Sequence, residues 1–129
     1  MASHKILLVE DDQFLRDMYN ELLSDEGFEV TACADGEEGY NKAMEGGFNL
    51  ILLDIMLPKM DGLQILKNLQ EKDLLSKNGP VVMLTNLGQD NIVKEGFDYG
   101  ASGYLIKSAM TPDQVLHEVH TFLNTGKQS

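Results

Sequence analysis

Acidic, hydroxyl and ammonium side chains stand at the ends of short apolar runs in this chain. Glu10-Asp11-Asp12 follows residues 6–9, Asp54 follows 50–53, Thr85 follows 81–84 and Lys107 follows 104–106. Each has an ordinary reading by itself. Acids after a strand commonly cap the next helix, and Asp12 fits that use. Threonine is a frequent strand residue, and a lone lysine is usually a solvated charge. Asp54 resists such a reading, because a carboxylate ending a central apolar strand needs a partner or a function. Taken together, carboxylates at one edge repel and raise each other's pKa values. A hard divalent cation relieves this, and two carboxylates plus waters suit Mg²⁺. Lys107 adds positive charge and Thr85 a hydroxyl donor. The set suits a carboxylate that attacks phosphorus with metal assistance.

The elements that must position these residues follow from the apolar pattern. Runs 6–9, 50–53, 81–84 and 104–106 are too short for helices and predict strands, and residues 28–33, which alternate weakly, predict another. Helical patterns separate them. Phe14, Leu15, Met18 and Leu22 recur at helical spacing until Gly27. Asp35 can cap a second helix with Glu38 three residues on, ending at Gly46-Gly47. Pro58 and Asp61-Gly62 mark turns before a third helix carrying Leu63, Ile65, Leu66 and Leu69. Residues 74–79 read as a polar surface insertion. Residues 88–98 predict a weak fourth helix containing Gly88 and Gly96. Thr111-Pro112-Asp113-Gln114 is a capping box with proline at the first helical position. It opens a fifth helix whose inward stripe is Val115, Leu116, Val119, Phe122 and Leu123. Five strand–helix repeats imply an α/β fold: a five-stranded parallel sheet, doubly wound. Ligands in such sheets bind at the carboxyl ends of the strands, where the residues above stand.

Composition narrows the function. The chain of 129 residues suits one domain, with a core of about residues 5–124. Ten basic against 21 acidic residues give a net charge of −11. That argues against nucleic acid or an anionic membrane as the direct partner. Arg16 is the only arginine, so a forked arginine phosphate site is absent. No apolar run exceeds four residues, which excludes a membrane-spanning helix or signal peptide. The single Cys33 points to a reduced cytoplasm. His4, His117 and His120 lack fitting metal-ligand neighbours and read as solvated; the seven methionines read as core filler.

Four segments in order carry a resemblance. They are Ile6-Leu7-Leu8-Val9-Glu10-Asp11-Asp12, the stretch from Leu53-Asp54 through Pro58 to Asp61-Gly62, then Leu84-Thr85-Asn86 and Gly103-Tyr104-Leu105-Ile106-Lys107. Intervals of 43, 31 and 22 residues separate Asp11, Asp54, Thr85 and Lys107. From about Lys5 to Leu123 the chain resembles the receiver domain of bacterial two-component response regulators, of the single-domain, chemotaxis-regulator kind with a flavodoxin-like fold. The resemblance implies that Asp54 accepts a phosphoryl group from a histidine kinase or phosphotransfer protein in a Mg²⁺-dependent reaction. Asp11 would ligate the metal directly and Glu10 through water, with Asp54 and the Met56 carbonyl completing the protein ligands. Lys107 would pair with Asp54 and then with a phosphoryl oxygen. Thr85 would bind another phosphoryl oxygen, and its movement would let Tyr104 turn inward. Pro58 and Gly62 would shape the neighbouring loop. The output would be a changed face of helix 4, strand 5 and helix 5 for a downstream protein. The domain would catalyse only its own phosphorylation and dephosphorylation.

Two rival functions have requirements that the chain does not match. A flavodoxin-like electron carrier needs a phosphate-cradling first loop, whereas Glu10-Asp11-Asp12 would repel phosphate. A phosphorylation-independent pseudo-receiver, acting as a protein-interaction module, would usually lack the phosphoacceptor or the lysine, and both are present. Ser108 replaces the proline that usually follows the lysine, leaving cis and trans geometry open at that bond. In the family that the chain resembles, the positions two past the phosphoacceptor and two past the threonine border the approach of water; here they are Met56 and Leu87, both apolar, so the resemblance implies a long-lived phosphoryl group. The chain shows no effector segment, so it is expected to be a stand-alone regulator or the receiver part of a longer one.

Overall fold

The computed structural model describes residues 4–86, 88–107 and 109–128. Leu87 and the Lys107–Ser108 bond, on which two expectations rest, lie outside the described residues. The strands are β1 (Lys5–Val9), β2 (Glu29–Cys33), β3 (Leu50–Asp54), β4 (Val81–Thr85) and β5 (Gly103–Ile106). The helices are α1 (Gln13–Asp25), α2 (Gly36–Glu45), α3 (Gly62–Glu71), α4 (Asp90–Asp98) and α5 (Pro112–Gln128). All strand pairs are parallel, as the alternating pattern predicts, and they run in the order β2-β1-β3-β4-β5. The chain reverses direction across the sheet between β1 and β3. Their carboxyl ends therefore border the crevice that such sheets use for binding.

Two apolar layers pack the sheet between the helices. Successive strand side chains point to opposite faces. Ile6, Leu8, Leu50, Leu52, Val82 and Leu84 bury against Tyr19 and Leu23 of α1 and Val115, Val119 and Leu123 of α5. Leu7, Val9, Ile51, Leu53, Val81 and Met83 bury against Tyr40 and Ala43 of α2 and Ile65, Leu66 and Leu69 of α3. Each fully buried side chain of this size contributes roughly 1.5–3 kcal/mol. Along this segment one layer ends at Leu52, and the other holds Leu53 and Ile55 on either side of Asp54.

The helix starts match their sequence signals. Asp12, Asp35 and Asp61 accept from the backbone N–H groups of Leu15, Glu38 and Gln64. Thr111 and Gln114 form the full reciprocal box. The structure differs from expectation in four places. Phe14 is 76% exposed, because α1 turns Tyr19 and Leu23 inward instead. Residues 74–79 are not a loose polar insertion. They contain a 3-10 turn at Leu75–Lys77, Leu74 and Leu75 cover the core, and Asn78 joins the Phe48 N–H to the Ala43 carbonyl. Gly96 does more than weaken α4, since a side chain there would strike the Met83 sulfur. His120 is not simply solvated, as its Nε2 lies 2.7 Å from Glu26 Oε2 and its ring leans on Phe28.

Gly62 ties the fold to the strand end. A Cβ at this first residue of α3 would meet the Asp54 carbonyl and the Ile55 backbone, so only glycine lets α3 close on β3. We expect Gly62→Ala to cost about 1–3 kcal/mol by overpacking. Urea unfolding measures this, and an unchanged midpoint would contradict the packing described.

Candidate functional site

Three strands deliver carboxylates and an ammonium to one point. β1 runs directly into Glu10 and Asp11, β3 ends in Asp54, and β5 is followed by Lys107. One oxygen from each of Glu10, Asp11 and Asp54 lies within 4.8 Å of the others. Lys107 Nζ donates to both Glu10 oxygens at 2.9 Å and to Asp54 Oδ2 at 2.8 Å. The Met56 N–H donates to Asp54 Oδ1 at 3.0 Å. Both oxygens of Asp54 are thus held, which fixes the plane of the carboxylate. Glu10 is wholly buried and Asp54 nearly so, whereas Asp11 is exposed at the mouth.

The electrostatics follow from this crowding. Burial pushes the Glu10 carboxyl up to about 7, with Asp54 beside it adding to the rise and Lys107 opposing it. Burial and the Asp54 charge also raise Asp11. Burial alone would lower Lys107, but its bonds to Asp54 and Glu10 outweigh that and raise it. It therefore stays charged at neutral pH. One ammonium for three carboxylates leaves surplus negative charge, in an all-oxygen donor set that suits a hard cation.

The cleft is lined by Glu10, Asp11, Asp12, Leu15, Asp54, Met56, Asn86 and Lys107. Asp12 thus caps α1 and also faces the cleft. Met56, read as core filler, is 54% exposed at its rim. Thr85 is buried nearby but does not line the cleft. Its hydroxyl donates to Gln89 Oε1 at 2.7 Å. It borders a separate cavity of about 310 Å³ shared with Gln89, Val93, Phe97 and Tyr104. Tyr104 is 46% exposed and meets Phe97 edge-on, with ring centroids 6.2 Å apart. The sequence reading missed two residues. Arg16 Nη1 donates to the Glu10 and Asp11 carbonyls at 3.0 and 3.3 Å, bracing the acidic loop. Its place one turn into α1 was the available signal. The role of Gln89 had none.

Comparison with known proteins agrees with this architecture. The family model described as the response regulator receiver domain matches residues 6–120. The transcriptional regulatory protein SrrA of Staphylococcus aureus is 38% identical over 121 residues, covering 94% of this chain and 48% of SrrA. The chain spans about half the length of the curated relatives it matches. Among solved structures, chemotaxis protein CheY4 of Vibrio cholerae is 31% identical with a TM-score of 0.83, covering 94% of this chain and 99% of its own. A CheY-like receiver domain protein of Methanospirillum hungatei is 28% identical with a TM-score of 0.88, covering 98% of each chain. With nearly its whole length matched by that model, and with the fold and site described above, the chain belongs to the response regulator receiver domain family.

Proposed function

We propose that this receiver accepts a phosphoryl group on Asp54 from a phosphohistidine of a histidine kinase or phosphotransfer protein. The observation that carries this reading is the two-sided hold on Asp54, by Lys107 on one oxygen and the Met56 N–H on the other. A carboxylate so fixed meets the orientation requirement of in-line attack. An Asp54 oxygen attacks phosphorus, the phosphorus–nitrogen bond breaks, and the imidazole leaves. An acyl phosphate remains. Lys107 neutralises an oxygen of the incoming group and has no need to move far to do so. Asp11, Glu10, Asp54 and the Met56 carbonyl would hold Mg²⁺, which when bound supplies charge neutralisation at the phosphoryl oxygens. The surplus negative charge of the cleft supports that fit. One solved relative in fold, the receiver domain of sensor histidine kinase PA1611 of Pseudomonas aeruginosa, is described with magnesium in its active-site cleft.

The switch in this reading consists of Thr85 and Tyr104. Thr85 turns toward the phosphoryl group, and Tyr104 moves into the cavity behind it. The altered face of α4, β5 and α5 then meets a downstream protein. The net charge of −11 favours a protein partner over nucleic acid or an anionic membrane. Among the described residues no helix is long and apolar enough to cross a membrane. We place the protein in the cytoplasm, where phosphohistidine donors of this kind are found, and treat residues 1–129 as one receiver unit. The domain turns over no separate substrate.

Asp54→Asn should fold normally yet take no label from acetyl phosphate, because the amide keeps the shape without the nucleophilic oxygen. Equal labelling of the variant contradicts the assignment. Glu10 binds its proton more tightly folded than unfolded. Metal-free stability should therefore be highest below about pH 4.5 with respect to this group and fall as pH rises to about 7. Mg²⁺ should offset the fall, and Asp11→Ala should weaken that rescue. Denaturation midpoints across this range, with and without Mg²⁺, measure both effects, and a metal-free midpoint that rises with pH through this window opposes them. Met56 is an apolar cover on the rim. Met56→Asn should shorten the phosphoryl lifetime by offering water a hydrogen bond. A lifetime equal to the parent's would show that Met56 does not guard the water path.

A further inference from the structure

Gln89 occupies the residue before α4, yet its side chain makes no capping bond to that helix. Glutamine is not a favoured residue at such a position. The side chain reaches backward instead. Gln89 Oε1 accepts the Asn86 N–H at 2.7 Å and the Thr85 hydroxyl at 2.7 Å. The Asn86 N–H can only donate, so the atom facing it is the amide oxygen and not the nitrogen. The Thr85 hydroxyl must then be the donor toward the same oxygen. A hydroxyl carries one proton. While that proton is directed at Gln89, or at the Asn86 carbonyl 3.1 Å away, it cannot serve a phosphoryl oxygen. The location agrees with this. Thr85 lines the cavity beneath Tyr104 together with Gln89 and is absent from the lining of the acidic cleft.

We propose that Gln89 is a latch that holds the Thr85 hydroxyl away from the acidic cleft in the resting protein. The residue at position 89 then sets how far the resting population leans toward the switched state. This rests on the reading of Asp54 as phosphoacceptor and adds the positioning residue that opposes it. The bond exists only in the resting arrangement, so its loss shifts the population toward the switched one. A ligand that selects the switched state gains apparent affinity in proportion to the population made competent. The contribution of one net hydrogen bond corresponds to about a two- to tenfold change. Asn86 is exposed, and water replaces its lost partner at little cost.

The test uses Gln89→Met, which keeps length and removes the acceptor. Beryllofluoride with Mg²⁺ serves as the phosphoryl mimic, titrated into the full chain and followed by the NMR signals of the Tyr104 ring. The latch predicts binding about two- to tenfold tighter than the parent. It also predicts Tyr104 resonances in the free variant displaced toward their bound positions. In a Thr85→Ala background, Gln89→Met should change nothing, because the latch has no hydroxyl to hold. Unchanged affinity of the single variant overturns the latch. So does equal tightening with and without Thr85, which would mark a merely structural effect on the loop. Failure of the parent to bind the mimic, or equal binding by Asp54→Asn, overturns the phosphoacceptor reading itself and the latch with it.

Discussion

A single ammonium holds the carboxyl edge of the sheet together. Lys107 Nζ, delivered by β5, reaches past β4 to bond Asp54 of β3 and Glu10 beyond β1. Without it, two buried acids would face each other uncompensated. Breaking a buried pair from one side typically costs about 3–5 kcal/mol. Glu10 has a second recourse, the proton that burial lets it keep up to about pH 7. The cleft is therefore held short of full ionisation by one lysine and one proton. Both can give way to groups of higher charge, and a phosphoryl switch requires such a site.

The rest of the molecule makes that arrangement rigid on one side and adjustable on the other. Full-length apolar layers support β1, β3 and β4 from both faces, so Glu10 and Asp54 start from fixed backbone positions. Gly62 lets α3 close against the Asp54 carbonyl. On the other flank, α4 has nine residues, only Gly96 among them fully buried, and no side-chain cap. Segments with few buried apolar contacts open most readily. The cavity beneath Tyr104 lies on this softer flank, next to the hydroxyl that Gln89 holds.

Much of this was legible in the sequence because it rests on local chemistry. Short continuous apolar runs gave most of the strands, capping residues ahead of helical patterns gave helix starts, and polar residues at strand ends gave the cleft. What could not be read depends on rotamers and close approach. Glu10, Asp54 and Lys107 could be expected at one edge, but not the bonds of Lys107 to both Glu10 oxygens. Thr85 could be assigned to the site, but not the direction of its hydroxyl. Phe14 fits the helical spacing of α1 and still faces solvent, because Tyr19 fills the inward position. Asn78 falls in the stretch read as a polar surface insertion, whereas its amide joins two backbone segments about thirty residues away in sequence.

The central claim is that Asp54, and no other acid of the cleft, becomes the acyl phosphate. Borohydride trapping after incubation with acetyl phosphate and Mg²⁺ tests it most directly, because reduction converts the phosphorylated aspartate to homoserine. Peptide mass spectrometry then reads the position. Homoserine is expected at position 54 and at no other acid of the cleft. Reduction product at Glu10 or Asp11 with an intact Asp54, or no product despite incorporated phosphate, would contradict it.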